Sequence, residues 1–293
     1  MPAARPICVP PDPQPRKPRF AVPAQACDSH AHVFGPVERY RLSPKRGYDP
    51  APAGPADYRR LLDGLGLGRG VVTQPSVYGT DNAALLDALA ADPQRLRGVA
   101  AVAADVSDAE LERLDAAGVR GIRINLVDPG GNPFDSFAGI ERIAARIHPL
   151  GWHIEFLVHV HEFEDLPRRF GGLGVDVVVA HLGYTRTSLG IDHPGYRSFL
   201  SFLAEGRCWM KLSGPYRVSS EERPPYADTA PFARKLVETR PDRMLWGSDW
   251  PHVWLKVPMP NDGDLLNLLA DWVPDEATRE KILVDNPTRL YRF

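Results

Sequence analysis

The chain has 293 residues, 43% of them hydrophobic and 25% charged, with a formal net charge of −2 and a pI near 6.5. That length suits one barrel-sized domain or two smaller ones, and the near-neutral charge excludes the basic surface that nucleic acid or an anionic membrane would require. No apolar run approaches the roughly 20 residues of a membrane helix, and three scattered cysteines (Cys8, Cys27, Cys208) without a CxxC suit a reducing, cytoplasmic compartment.

In chain order, residues 1–25 carry eight prolines and no hydrophobic signal region. They are expected to form an N-terminal arm, either disordered or wrapped over its own barrel or a neighbouring subunit, which leaves a homo-oligomer open. No repeat or low-complexity linker divides residues 26–293. Strand patterns follow at 26–34, 70–76, 96–103, 118–125, 153–159, 175–182, 208–214 and 243–250. Between them lie helical patterns such as "DNAALLDALAAD", "SDAELERLDAAG", "PGYRSFLSFLAE" and "ADTAPFARKLVETR", several opened by an Asp or Ser able to cap the first turn. Nearly continuous apolar runs are what parallel strands covered on both faces look like. Eight of them, each followed by a helix or long loop, predict an α/β fold, a (β/α)8 TIM barrel. An open doubly wound sheet competes, but no GxGxxG follows the first strand.

Active sites of such barrels lie at the C-terminal ends of the strands. The residues there are His30 and His32, Gln74 and Ser76, Arg123 and Asn125, His159, His181, Lys211 and Ser213, and Asp249. In "CDSHAHVFGP" the two imidazoles are spaced to share one strand face. Joined by His159 and Asp249, they make a donor set suited to one Zn2+ per chain. Asp249, as base or ligand, and His181, as polariser of a carbonyl, are the catalytic candidates. A lone HxH is weak; its occurrence together with histidines and an aspartate at three other strand ends is not. His148 and His153 flank a loop at the opposite barrel face and read as structural, while His161 and His193 read as solvated. Trp250 and Trp254, in "SDWPHVWLKVP", either cover the pocket or pack under a loop.

The stretches "CDSHAHVFGP", "QPSVYGTDNAALLDALA", "GVRGIRIN", "GWHIEFLVH", "VVAHLG", "WMKLSG", "LWGSDWPH" and "NPTRLY" span most of residues 25–293. Together they resemble the amidohydrolase superfamily, in the branch of pyrone-dicarboxylate lactonases and sulfomuconolactone hydrolases. The resemblance implies a distorted amidohydrolase-like barrel over residues 26–293 that hydrolyses a small acidic lactone in aromatic-compound catabolism. It brings in Tyr48, Ser76, Tyr78, Arg123, Tyr184, Arg217 and His252 as substrate-binding candidates, with Lys211 either beside them or paired, as a strand-end lysine, to a neighbouring carboxylate. The departures matter as well. The pyrone lactonase works without metal and has no histidine at position 159. Here Tyr184 replaces an arginine, Tyr78 replaces a histidine, and no arginine stands between Arg123 and Arg142. These changes favour zinc, and a muconolactone bearing a carboxylate, or a carboxylate and a sulfonate. The competing expectations are a metal-free pyrone-dicarboxylate lactonase, a metal-dependent decarboxylase on the same barrel, and a barrel that binds an acidic metabolite without turnover.

Overall fold

The computed structural model describes residues 5–128 and 130–293, so residues 1–4 of the arm lie outside the described residues. Eight strands pair in parallel in sequence order: β1 (Cys27–Ala31), β2 (Arg69–Thr73), β3 (Leu96–Ala100), β4 (Val119–Asn125), β5 (His153–Leu157), β6 (Val177–Val179), β7 (Cys208–Leu212) and β8 (Met244–Trp246). Nearly every strand residue is buried, which is why the strands read as unbroken apolar runs. Backbone bonds close β8 onto β1: Asp249 N–H donates to His30 O at 2.8 Å, and His32 N–H to Trp250 O at 2.7 Å. The result is a (β/α)8 barrel. It is distorted, with only three residues in β6 and in β8 and a register shift in β1 between Asp28 and Ala31.

Helices α1 (Pro55–Leu65), α2 (Ala83–Ala91), α3 (Asp108–Ala116), α4 (Phe137–Ile147), α5 (Leu166–Gly171), α6 (Pro194–Ala204), α7 (Ala230–Thr239) and α8 (Asp262–Trp272) surround the sheet. Each turns an apolar stripe inwards; α4, for example, buries Ile140, Ile143, Ala144 and Ile147, worth roughly 1.5–3 kcal/mol per large side chain. Two further helices, α9 (Glu276–Glu280) and α10 (Asn286–Tyr291), end the chain. Leu290 and Tyr291 of α10 close a separate apolar cluster made by Cys27, Val71, Val99, Val178, Trp209 and Leu245. By strand alternation Trp209 shares a face with Lys211, so this cluster is a dry plug beneath the polar end of the barrel. No helix among the described residues is long and apolar enough to cross a membrane.

The strands are shorter than the sequence pattern predicts. The segments expected at 153–159, 175–182, 208–214 and 243–250 stop before their final polar residues. The backbone explains two of these stops. His181, Leu182 and Tyr184 have φ of 53°, 54° and 51°, and Asp249, His252 and Trp254 have 65°, 62° and 54°. Left-handed backbone cannot continue a ladder, and outside glycine it costs about 1–2 kcal/mol per residue. That strain sits on the loops carrying His181 and Asp249.

The described part of the arm runs over the barrel of its own chain. Cys8 N–H donates to Asp49 O at 2.8 Å, and Asp49 N–H to Pro6 O at 2.9 Å. Further along, Arg16 N–H donates to Asn261 at 2.8 Å and Arg19 N–H to Asn267 at 2.7 Å.

Candidate active site

At the base of the C-terminal mouth, His30, His181 and Asp249 converge, all buried. His30 Nε2 lies 3.7 Å and His181 Nε2 3.8 Å from Asp249 Oδ1. Neither His30 Nε2 nor Asp249 Oδ1 has a hydrogen-bond partner. Buried polar atoms are almost always satisfied, so these two mark a place for water or a ligand.

The groups behind this trio hold it in place. Glu155 of β5 and Lys211 of β7 form a fully buried ion pair. His30 Nδ1 has Glu155 Oε1 at 3.1 Å and Lys211 Nζ at 3.0 Å. An acceptor and a donor are both in reach, so either His30 tautomer is accommodated. His181 Nδ1 lies 3.0 Å from Ser213 Oγ. Asp249 Oδ2 accepts from Tyr216 O–H at 2.6 Å and from Arg217 Nε–H at 2.6 Å, which leaves Oδ1 facing the two imidazoles. Behind Tyr216, His252 Nδ1 lies 2.9 Å from the phenol oxygen and its Nε2 3.0 Å from Asp262 Oδ1. Asp28 fastens β1 to the β8 loop, accepting from Ser248 N–H at 2.9 Å and Ser248 O–H at 2.6 Å.

Burial sets the charge states. It pushes His30 well below the ordinary imidazole range, with Lys211 adding to the effect. Burial and the Arg123 guanidinium bring His32 to about 3, and burial brings His181 to about 3 against the pull of Asp249. Burial alone would raise Asp249, but Arg217, His181 and His30 outweigh it and hold the carboxyl well below its usual range. Neutral imidazoles beside a stable carboxylate are suited to proton transfer and to metal ligation alike.

Above this base opens a cavity of about 440 Å3. Of the residues singled out from sequence, His32, Tyr48, Ser76, Arg123, His159, His181, Tyr184, Arg217 and Asp249 line it. Three of the substrate-binding candidates lie off the cavity wall. Lys211 is fully buried against Glu155, because β7 points it inwards beneath His30. His252 lies behind Tyr216 rather than on the wall. Tyr78 is buried behind the wall, its hydroxyl accepting from Gly35 N–H at 3.2 Å. The two tryptophans divide: Trp250 stacks on Tyr58 in the interior, while Trp254 lines the cavity over Tyr48, ring centroids 5.7 Å apart.

The trio fits a zinc-type ion by donor chemistry and convergence. His32 and His159 stand outside it. His32 Nδ1 donates to Thr73 O at 2.7 Å, and its Nε2 faces Arg123 Nη1 at 3.5 Å, where a guanidinium opposes a second cation. His159, past the end of β5, donates through Nδ1 to Tyr184 O at 2.9 Å and groups instead with His161 and Glu162. Sequence reasoning missed Tyr216, Asp262, Glu155, Lys256 and Asp28 as parts of the site. Glu155 did leave a signal, as the one carboxylate inside the apolar run "HIEFLV".

A (β/α)8 barrel with one imidazole on β1, a second just past its end and a carboxylate after β8 is the arrangement to set beside known proteins. Residues 27–293 match the family described as amidohydrolase. The chain belongs to that family. It is 42% identical over 287 residues to a 2-pyrone-4,6-dicarboxylate hydrolase of Comamonas testosteroni, covering 94% of this chain and 93% of that one. A 4-sulfomuconolactone hydrolase of Rhizobium radiobacter is 38% identical over 274 residues, covering 93% and 91%. An apo crystal structure from Agrobacterium tumefaciens superposes with a TM-score of 0.84 at 31% identity, covering 94% of this chain and 98% of that one.

Proposed function

We propose that this enzyme hydrolyses an acidic lactone of the muconolactone type, one bearing a carboxylate and a second anion such as a sulfonate, in the breakdown of aromatic compounds. The observation that carries the reading is Asp249, a buried carboxylate with one oxygen anchored and the other unpartnered at the base of a cationic cavity. Relatives named for lactone hydrolysis support the reaction. The distribution of cations supports the substrate. Arg217 is tied to Asp249, which leaves Arg123 inside and the exposed Arg186 and Lys256 at the rim. Two separated anionic groups suit that spread better than a compact planar dicarboxylate.

In the proposed reaction a water beside Asp249 Oδ1 adds to the ring carbonyl and gives its proton to the carboxylate. Ser213 O–H donating to His181 Nδ1 leaves His181 Nε2–H free to stabilise the developing oxyanion. As the acyl–oxygen bond breaks, Asp249 returns the proton to the departing ring oxygen, and a ring-opened carboxylate leaves. Tyr216 and Arg217 keep the resting Asp249 ionised and hold its carboxyl group oriented while the proton passes over Oδ1. His30, His181 and Asp249 are the residues that would hold a zinc-type ion, which when bound supplies Lewis-acid polarisation of the carbonyl. The three free cysteines fit a cytoplasmic enzyme.

The test is a pH-stat assay of purified protein with 4-sulfomuconolactone and, separately, 2-pyrone-4,6-dicarboxylate. Alkali uptake with addition of one water to the muconolactone, at a kcat/KM at least tenfold above that for the pyrone, is expected. The reverse preference would overturn the substrate. Release of carbon dioxide, or tight binding without turnover, would overturn the reaction.

A further inference from the structure

The turn after β5 gathers a second set of metal-ligand side chains, at the rim of the cavity. His159, His161 and Glu162 each place one donor atom within 4.8 Å of the other two. His159 gives its Nδ1 proton to the Tyr184 carbonyl at 2.9 Å, which leaves the Nε2 lone pair free. A backbone carbonyl on the far nitrogen is how proteins commonly orient a metal-bound imidazole. His161 Nδ1 is buried without a hydrogen-bond partner. The Glu162 carboxylate is exposed and makes no hydrogen bond or ion pair among the described residues.

The turn itself is held firmly. Glu162 N–H donates to His159 O at 3.1 Å, and Phe163 N–H to Val160 O at 3.2 Å. Gly195, in the first turn of α6, comes so close that a Cβ there would lie 2.2 Å from the His161 carbonyl oxygen. His193 stands edge-on to His161, ring centroids 5.9 Å apart, but its Nδ1 accepts from Gly195 N–H at 3.2 Å, so it flanks the set. The Arg186 guanidinium is also a neighbour, and Glu162 supplies the opposing charge.

We propose that His159, His161 and Glu162 form a second divalent-cation site of the zinc type, distinct from the trio at the base of the cavity. Two imidazoles and one carboxylate are a donor set that zinc takes up readily, with a fourth position left open. Metal–ligand bonds of about 2.0–2.2 Å would draw the donors to roughly 3.4 Å apart, a closure to which the exposed Glu162 side chain can contribute by rotation and the two imidazoles by small ring shifts. The site shares one residue with the cavity wall, His159, and does not depend on the reaction proposed above.

The experiment titrates chelator-treated, full-length protein with Co2+ and with Zn2+. Bound metal is counted after gel filtration and the visible Co2+ spectrum is recorded, for wild type, His161→Ala, Glu162→Gln and Asp249→Asn. His161→Ala and Glu162→Gln are each expected to lose one equivalent, or weaken it at least tenfold, while Asp249→Asn keeps that equivalent and its visible band. Unchanged metal content and affinity in His161→Ala and Glu162→Gln would overturn the proposal, and so would loss of all metal in Asp249→Asn. Should His161→Ala melt early, Glu162→Gln at its exposed position decides alone. Lactone turnover on the same samples keeps the two readings apart. A protein that binds this equivalent yet opens no lactone sinks the lactonase alone; an active enzyme whose metal count ignores both substitutions sinks this site alone.

Discussion

The two mouths of the barrel carry the same kinds of residue and use them differently. At the C-terminal mouth Arg123, Arg186 and Lys256 line the cavity, and none of them has a carboxylate partner among the described residues. The N-terminal mouth holds a cavity of about 330 Å3 lined by Arg243, Arg289 and Arg292. There every guanidinium faces a carboxylate: Asp176 at 3.5 Å, Asp242 at 3.9 Å and Asp115 at 3.3 Å. Arg243 and Arg289 also lie over the Trp209 ring at 4.5 Å and 4.7 Å. Charge at one end is neutralised within the fold; at the other it is left for an incoming molecule. The contrast parallels the usual division of labour in such barrels, where the lower face serves stability and the upper one chemistry.

Acid should break the contrast, because dry imidazoles occur at both ends. Burial brings His32 and His181 above, and His153 below, to about 3. Unfolded histidine titrates near 6.5, so the folded-state pKa is the lower one. The stability these groups confer is therefore complete above pH 6.5 and is lost as pH falls from there towards 3. From pH 7.5 to pH 5 each should cost about 2 kcal/mol, which makes the three together the largest effect expected. Denaturant unfolding at the two pH values measures it, and equal midpoints would contradict it.

The remaining predictions sharpen the contrast. Asp249→Asn should lower kcat about 10^3-fold while the protein stays folded, as removal of a general base does; a loss below tenfold would remove Asp249 from that role. Arg123→Leu should raise KM by roughly 10- to 100-fold, the worth of a charge-assisted hydrogen bond, with little change in the melting temperature. Tyr216→Phe should lower kcat about tenfold at steady KM, since the carboxylate loses one of its two anchors. An unchanged kcat would make that contact incidental. At the lower mouth, Arg289→Ala should cost under about 1 kcal/mol of stability, as for an exposed ion pair, and leave steady-state kinetics untouched.

Much of this layout was legible in the sequence because strands covered on both faces leave continuous apolar runs, and a polar residue closing such a run stands out. His30, His32, His181 and Asp249 were visible on that basis. What hid the rest was distance along the chain and the path of the loops. Tyr216 reaches Asp249 across 33 residues, and His252 finds Asp262 only after the chain has turned into α8. Lys211 looked like a strand-end cation open to substrate. Its other reading, pairing with a neighbouring carboxylate, is the one found; that Glu155 of β5 is the partner depends on the strands' relative placement, which composition does not reveal. Reading His159 as a continuation of β5 likewise assumed an extended strand that ends at Leu157.

The arm puts an order on assembly. The backbone N–H groups of Arg16 and Arg19 find their acceptors, the side-chain oxygens of Asn261 and Asn267, 245 and 248 residues later in the chain, and Cys8 Sγ accepts from Trp254 N–H across 246 residues. Synthesis runs from N- to C-terminus, so these late partners appear long after the arm. Cys8 can meet Asp49 early, but the segment around Arg16 and Arg19 has no acceptor until Asn261 and Asn267 emerge. Cys8 then settles beside Trp254 as the newest part arrives, so the wall of the cavity is finished only near the end of synthesis.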